Sequence, residues 1–90
     1  MQHKGQRIVF KKNSLSINRI SIVVPKASVK LSTLRNRTRR LLKEAYRLNK
    51  YSINKGFDII LCIYRPIKLF ADAEELLMAM LKKVKLIENN

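Results

Sequence analysis

The run Phe57-Asp58-Ile59-Ile60-Leu61-Cys62-Ile63-Tyr64-Arg65 constrains this chain more than any other segment. It is apolar almost throughout and stops at Pro66. A short, nearly continuous apolar run of this kind reads as a strand buried on both faces, central in its sheet and often parallel to a neighbour. Cys62 within it reads as a small buried hydrophobe.

The rest of the chain supplies the partners such a strand needs. Residues 6 to 12 predict a first strand, and Asn13-Ser14 a turn. In residues 17 to 24, Ile20, Ile22 and Val24 alternate with Arg19, Ser21 and Val23. That period of two predicts a strand with one buried face, ended by Pro25. These first two strands are expected to form an antiparallel hairpin. Ser32 or Thr33 is placed to cap a helix running from about Leu34 to Leu48 or Lys50. Residues 51 to 56 form a loop closing on Gly56. A last helix is expected from about Ala71 to Ile87. Asp72, Glu74 and Glu75 near its start and Lys82, Lys83 and Lys85 near its end suit the helix dipole. Leu76, Leu77, Met80, Leu81 and Val84 form its apolar stripe, with Met78 and Met80 as packing residues. The order strand, strand, helix, strand, helix predicts an α+β fold with helices on one face of a small sheet. Ninety residues allow a single domain, 1–90.

Charge narrows the function. Twenty Lys and Arg against six Asp and Glu give a net charge of +14, in a chain that is nonetheless 47% hydrophobic. Self-repulsion of that size suits a folded protein with an anionic partner. Nucleic acid, an anionic membrane and an acidic protein all qualify. No run approaches the roughly 20 apolar residues of a membrane span. Met1-Gln2-His3-Lys4-Gly5 lacks the apolar region of a signal peptide. One cysteine excludes an internal disulfide and suits a reducing cytoplasm.

The helix over residues 34 to 50 carries much of that charge. At roughly 100° per residue, Leu34, Thr38, Leu41, Leu42, Ala45 and Leu48 share one side. Arg35, Asn36, Arg39, Arg40, Lys43, Arg47 and Lys50 share the other, with Tyr46 among them and Arg37 and Glu44 at the border. Solvated helix faces usually mix signs, because like charges at i,i+4 repel. Here only Glu44 can relieve the repulsion, toward Arg40 or Arg47. Arginine forks bind phosphate and stack on bases. The Asn36 amide can donate to a phosphate or read a base edge. Lys26 and Lys30, in the preceding loop, extend the positive surface. The apolar side is needed for the core and lacks large aromatics, which disfavours a membrane-surface helix.

Catalytic chemistry is not visible. His3 is the only histidine, no His/Cys cluster suggests zinc, and no Ser-His-Asp set can form. The carboxylates show no paired spacing. Gly5 and Gly56 cannot make a phosphate-cradling loop. The residues alone point to binding of RNA or DNA without cleavage by this chain.

The segment Ile22-Val23-Val24-Pro25-Lys26 and the helix Leu34-Arg35-Asn36-Arg37-Thr38-Arg39-Arg40-Leu41-Leu42-Lys43-Glu44-Ala45-Tyr46-Arg47 resemble the bacterial ribonuclease P protein component, its Bacteroidota members most. The resemblance spans roughly residues 6 to 88. It implies the small protein subunit of a ribonucleoprotein that removes the 5′ leader from precursor tRNA. The active site and its magnesium ions would belong to a large RNA subunit, with no metal held by protein ligands alone. The protein, a monomer with one copy per RNA, would bind that RNA and the precursor. The implied fold is a two-layer α/β sandwich with a left-handed βαβ crossover, against the usual right-handed preference. Arg35, Asn36, Arg37, Arg39, Arg40, Lys43 and Arg47 would face the RNA. A cleft between this helix and the sheet would receive the single-stranded leader, with Phe10 and Tyr64 as stacking candidates.

Two features depart from the family. Its N-terminal helix, with aromatics lining the leader cleft, is not seen before the first strand. Leu31-Ser32-Thr33-Leu34 replaces a more polar stretch that often carries Lys-Ala. The alternative reading is a general basic RNA-binding or ribosome-associated module.

Overall fold

The computed structural model describes residues 6–87; His3 lies outside them. Three strands and two helices follow one another as β1 (Gln6–Lys12), β2 (Arg19–Val23), α1 (Ser32–Asn49), β3 (Phe57–Ile63) and α2 (Phe70–Lys83), with a 3₁₀ turn at Lys50–Ser52. The fold class is α+β, as the element order implied.

The apolar run at residues 57–63 is the central strand. The sheet order is β1-β3-β2, with β1 antiparallel and β2 parallel to β3. The expected hairpin between β1 and β2 therefore does not form, because β3 lies between them. Six residues, 13 to 18, link their ends, and this link folds locally around Asn13. Its amide Nδ2 donates to the Ile17 carbonyl at 3.2 Å, and its Oδ1 accepts the Leu15 N–H at 2.8 Å. Ser14 there takes a φ of +63°. Asn18 pins the other side of the link, donating to the Asn54 carbonyl and accepting the Phe57 N–H. Gly56 has a φ of +90°, and a Cβ there would stand 3.1 Å from the Leu15 carbonyl oxygen. A side chain at that position would be strained and crowded.

Among the described residues, only one face of the sheet is covered. Ile59, Leu61 and Ile63 are buried, with Ile22 from β2 beside them. Leu42 and Ala45 of α1 and Ala73, Leu77, Met80 and Leu81 of α2 complete the same core. The alternate β3 residues lie on the uncovered face, where Ile60 is 41% exposed and Cys62 is half-buried. The expectation of a strand buried on both faces is thus corrected, and Cys62 with it. The described residues form a two-layer fold in which the second face of the sheet has an apolar centre that no described residue covers.

The helix ends also differ from expectation. α1 starts at Ser32, with Leu31 in the cap position and no side-chain cap bond. Neither Ser32 nor Thr33 caps it. The preceding turn is held instead by Ser28 and Val29 N–H bonds to the Pro25 carbonyl, both 3.0 Å, with Val29 buried. Leu48, expected in the core, is 54% exposed. Tyr46, expected among the cations, is half-buried and packs against the core. α2 ends at Lys83 rather than near Ile87. The chain then turns through Lys85, whose φ is +62°, and returns Leu86 and Ile87 to the core. Met78 and Met80 pack as expected.

Candidate nucleic-acid interface

α1 displays its cations because most of its other side is committed to the core. Thr38, Leu42 and Ala45 are completely buried. Thr38 sits inside the Arg-Asn-Arg-Thr motif, yet it is structural. Its hydroxyl donates to the Leu34 carbonyl at 2.7 Å and accepts the Ile67 N–H at 2.9 Å, tying α1 to the segment before α2. Asn49, a helical turn beyond Ala45, donates to Glu74 of α2 at 2.9 Å.

The exposed side forms a shallow groove of about 420 Å³ lined by Asn36, Arg39, Arg40, Lys43, Glu44 and Arg47. Five of these six were singled out from the sequence. Glu44, the only acid on α1, takes Arg47 rather than Arg40. The pair is bidentate, with Nη2–Oε2 at 2.6 Å and Nε–Oε1 at 3.1 Å. That bond holds the Glu44 carboxyl below its ordinary range and raises Arg47. Arg39 donates to the side-chain Oδ1 of Asn36, which leaves the Asn36 NH₂ as a donor for a ligand. The groove thus presents Arg39, Arg40 and Lys43 with one neutralised Arg–Glu pair beside them.

Arg35 and Arg37 have duties that the helical wheel does not reveal. The Nη1 of Arg35 donates to the carbonyls of Val29 and Lys30, both at 3.0 Å. Arg37 Nε donates to the Lys68 carbonyl at 3.1 Å. Each braces a loop beside α1 and keeps further donors on its guanidinium. Lys26 and Lys30 flank the buried Val29 and are both exposed. The ordered turn therefore presents them ahead of the helix.

Leu42 and Ala45 of α1 share one buried core with Ile59 and Leu61 of β3. Phe10 lies on the helix-covered side, paired with Ile59 in register, and packs edge-on against Phe57 with centroids 6.0 Å apart. At 39% exposure it stands at the surface beside the half-buried Phe57. Tyr64 follows β3 by one residue and is half-buried.

The uncovered face of the sheet is the surface that sequence reading missed. The register sets three rows across it: Lys11–Asp58–Arg19, Val9–Ile60–Ser21 and Arg7–Cys62–Val23. Val9, Ile60 and Val23 are each 41–44% exposed. The apolar centre is thus bordered by Arg7, Lys11 and Arg19. Arg19 grips Asp58 with two 2.8 Å bonds, and Asn13 adds a third at 3.0 Å. These bonds, Arg19's first, lower Asp58 to about 2. The signal is present as Val9, Val23 and Ile60 at alternate positions, but the run holding Ile60 reads as buried on both faces, and Val23 falls with Arg19 and Ser21 on the face expected to be exposed.

Comparison with known proteins places this geometry in a family. The family model for ribonuclease P matches residues 1–87. The ribonuclease P protein component of Natranaerobius thermophilus is 40% identical over 80 residues, which cover 87% of this chain and 69% of that protein. That of Alkaliphilus oremlandii is 34% identical over 99% of this chain and 79% of its own length. The Thermotoga maritima RNase P protein, solved in complex with 1-(4-fluorophenyl)-2-thiourea, superposes with a TM-score of 0.76 at 33% identity, covering 92% of this chain and 82% of that one. The Staphylococcus aureus RNase P protein, at 22% identity, shares the fold with a TM-score of 0.81, covering 98% and 82%. With its Arg-Asn-Arg helix, its mixed three-stranded sheet and these relatives, the chain belongs to the ribonuclease P protein component family.

Proposed function

We propose that this protein holds the RNA subunit of ribonuclease P along α1 and receives the single-stranded 5′ leader of precursor tRNA on the uncovered face of its sheet. The observation that carries this reading is the α1 groove. Arg39, Arg40 and Lys43 converge there with the Asn36 amide, and the one nearby acid is already bound to Arg47. Such a groove suits phosphates, which arginine binds bidentately. Lys26, Lys30 and the remaining donors of Arg35 and Arg37 extend it past the start of the helix. The sheet face suits an unpaired strand, with bases against Val9, Ile60 and Val23 and phosphates toward Arg7 and Lys11. We assign the leader to this face because Leu42 and Ala45 of α1 share a buried core with Ile59 and Leu61 on the other, the face on which Phe10 also lies.

Cleavage in this reading belongs to the RNA subunit, and magnesium ions supply the Lewis-acid chemistry there. Among the described residues no three His, Cys, Asp or Glu side chains come together as a metal cage. In this reading the part of the protein's own residues is to bind and orient RNA. One protein copy acts per RNA, as a single domain in the cytoplasm; no helix among the described residues is long and apolar enough to cross a membrane.

Reconstitution tests the reading. The chain alone should leave precursor tRNA intact. With a bacterial ribonuclease P RNA and magnesium it should give mature 5′ ends, and it should lower the magnesium the RNA needs. If RNA-only activity at low magnesium is unchanged by the protein, the reading fails. Equal competition by precursor and mature tRNA would then favour a general RNA-binding module.

A further inference from the structure

The cationic stripe of α1 does not end at Arg47. Lys50 lies seven residues beyond Lys43, hence on nearly the same side of the helix. It opens onto a second hollow of about 360 Å³, separate from the α1 groove and from the sheet face. Tyr51 and Lys55, from the turn and loop after α1, line it together with Lys50. Ser16 and Ile17 of the β1–β2 link and Tyr46 from α1 line it as well. No carboxylate lines it.

The residue types in this hollow are unusual for a surface that is merely solvated. Tyr51 is 84% exposed and Ile17 is 60% exposed. Lys50 Nζ stands 5.4 Å from the centre of the Tyr51 ring. An exposed aromatic ring with a cation beside it and a second lysine nearby is the combination that stacks a base and pairs its phosphate. The hollow also has a firm frame. Asn18, which also lines it, is fixed by bonds to the Asn54 carbonyl and the Phe57 N–H, 2.9 and 2.8 Å. The Ile53 N–H bond to the Lys50 carbonyl closes the turn that carries Tyr51.

We infer that this hollow is a stacking site for one unpaired RNA nucleotide. The base lies on the Tyr51 ring against Ile17, and its phosphates meet Lys50 and Lys55. α1 would then read a junction, with paired RNA along Arg39, Arg40 and Lys43 and the first unpaired base beyond its C-terminal end. From Asn36 to Lys50 the stripe is about 21 Å long at 1.5 Å per residue. That length spans several phosphates of one strand. The inference rests on α1 being an RNA-binding surface.

Two fluorescein-labelled RNA probes test it by anisotropy: a blunt hairpin, and the same hairpin with a three-adenosine overhang. The intact protein should bind the overhang probe more tightly. Tyr51→Ala should remove that gain, about tenfold in affinity, while Tyr51→Phe retains it. Tyr51→Ala should leave blunt-hairpin binding unchanged, and Arg40→Ala should weaken both probes. A gain that survives Tyr51→Ala overturns the site and leaves α1 as an RNA-binding surface. Equal binding of both probes by the intact protein does the same. If neither probe binds, both the site and the RNA-binding role of α1 fall.

Discussion

Thr38 offers a direct test of how the cationic helix is held. Its hydroxyl is buried and bonded on both sides, donating to the Leu34 carbonyl and accepting the Ile67 N–H. Thr38→Val keeps the shape and removes the oxygen. The Leu34 carbonyl still lies within a helix, but the Ile67 N–H is left buried without its acceptor. Such a group costs about 1–3 kcal/mol. In a domain of this size each kcal/mol lowers the melting temperature by roughly 4–8 °C. Thr38→Val should therefore melt about 5–20 °C below the wild type, followed by circular dichroism at 222 nm. Thr38→Ser keeps the hydroxyl and loses one methyl, so it should cost about 1 kcal/mol or less. RNA binding by folded Thr38→Val should show an unchanged salt dependence, since no cation is altered. If Thr38→Val is as stable as the wild type, or Thr38→Ser is the less stable of the two, the hydroxyl is not the link described.

Other expectations follow from the ion pairs. Asp58 sits at about 2 in the folded protein against an ordinary 3.8. The Arg19 pair therefore adds stability above about pH 4, and that stability fades as pH falls toward 2. Melting temperature should drop more steeply between pH 5 and 2 for the wild type than for Asp58→Asn; parallel curves would show that the pair contributes nothing. Arg39→Ala and Arg40→Ala should each flatten the slope of log K against log salt by about one unit for RNA binding. Slopes unchanged in both variants would remove α1 from the interface. Glu44→Gln should release Arg47 and tighten RNA binding at low salt, whereas weaker binding would mean that Glu44 positions Arg47 for its ligand.

Much of this was legible in the sequence because helix and charge patterns are local. The wheel of α1 separated Leu42 and Ala45 from Arg39, Arg40 and Lys43, and the structure keeps that division. Pairing was harder. Nothing in residues 6–12 and 17–24 says that a strand forty residues later will come between them. The β3 pattern misled for a physical reason. Ile60 and Cys62 look like core in a list of residues, yet they lie on a face that the two helices never reach. Arg35 and Arg37 were read only as cations, because their carbonyl partners at Val29, Lys30 and Lys68 depend on the paths of loops. Tyr51 went unremarked because its neighbours at Ser16 and Ile17 are brought to it only by the fold.

The strand order β1-β3-β2 has a consequence for how the chain is made. During synthesis β1, β2 and α1 all leave the ribosome before the strand that joins them. Until about residue 63 emerges, neither early strand has a partner, and α1 has only part of the core to cover. Pairing Gln6 with Ile63 closes a loop whose entropy opposes folding by about 3–4 kcal/mol. Folding should therefore be a late, single event, and a fragment ending at Gly56 should show no sheet signal by circular dichroism. In that interval the nascent chain is a polycation at the mouth of an RNA machine, and completing β3 is what assembles the core that holds α1 and its cations in place.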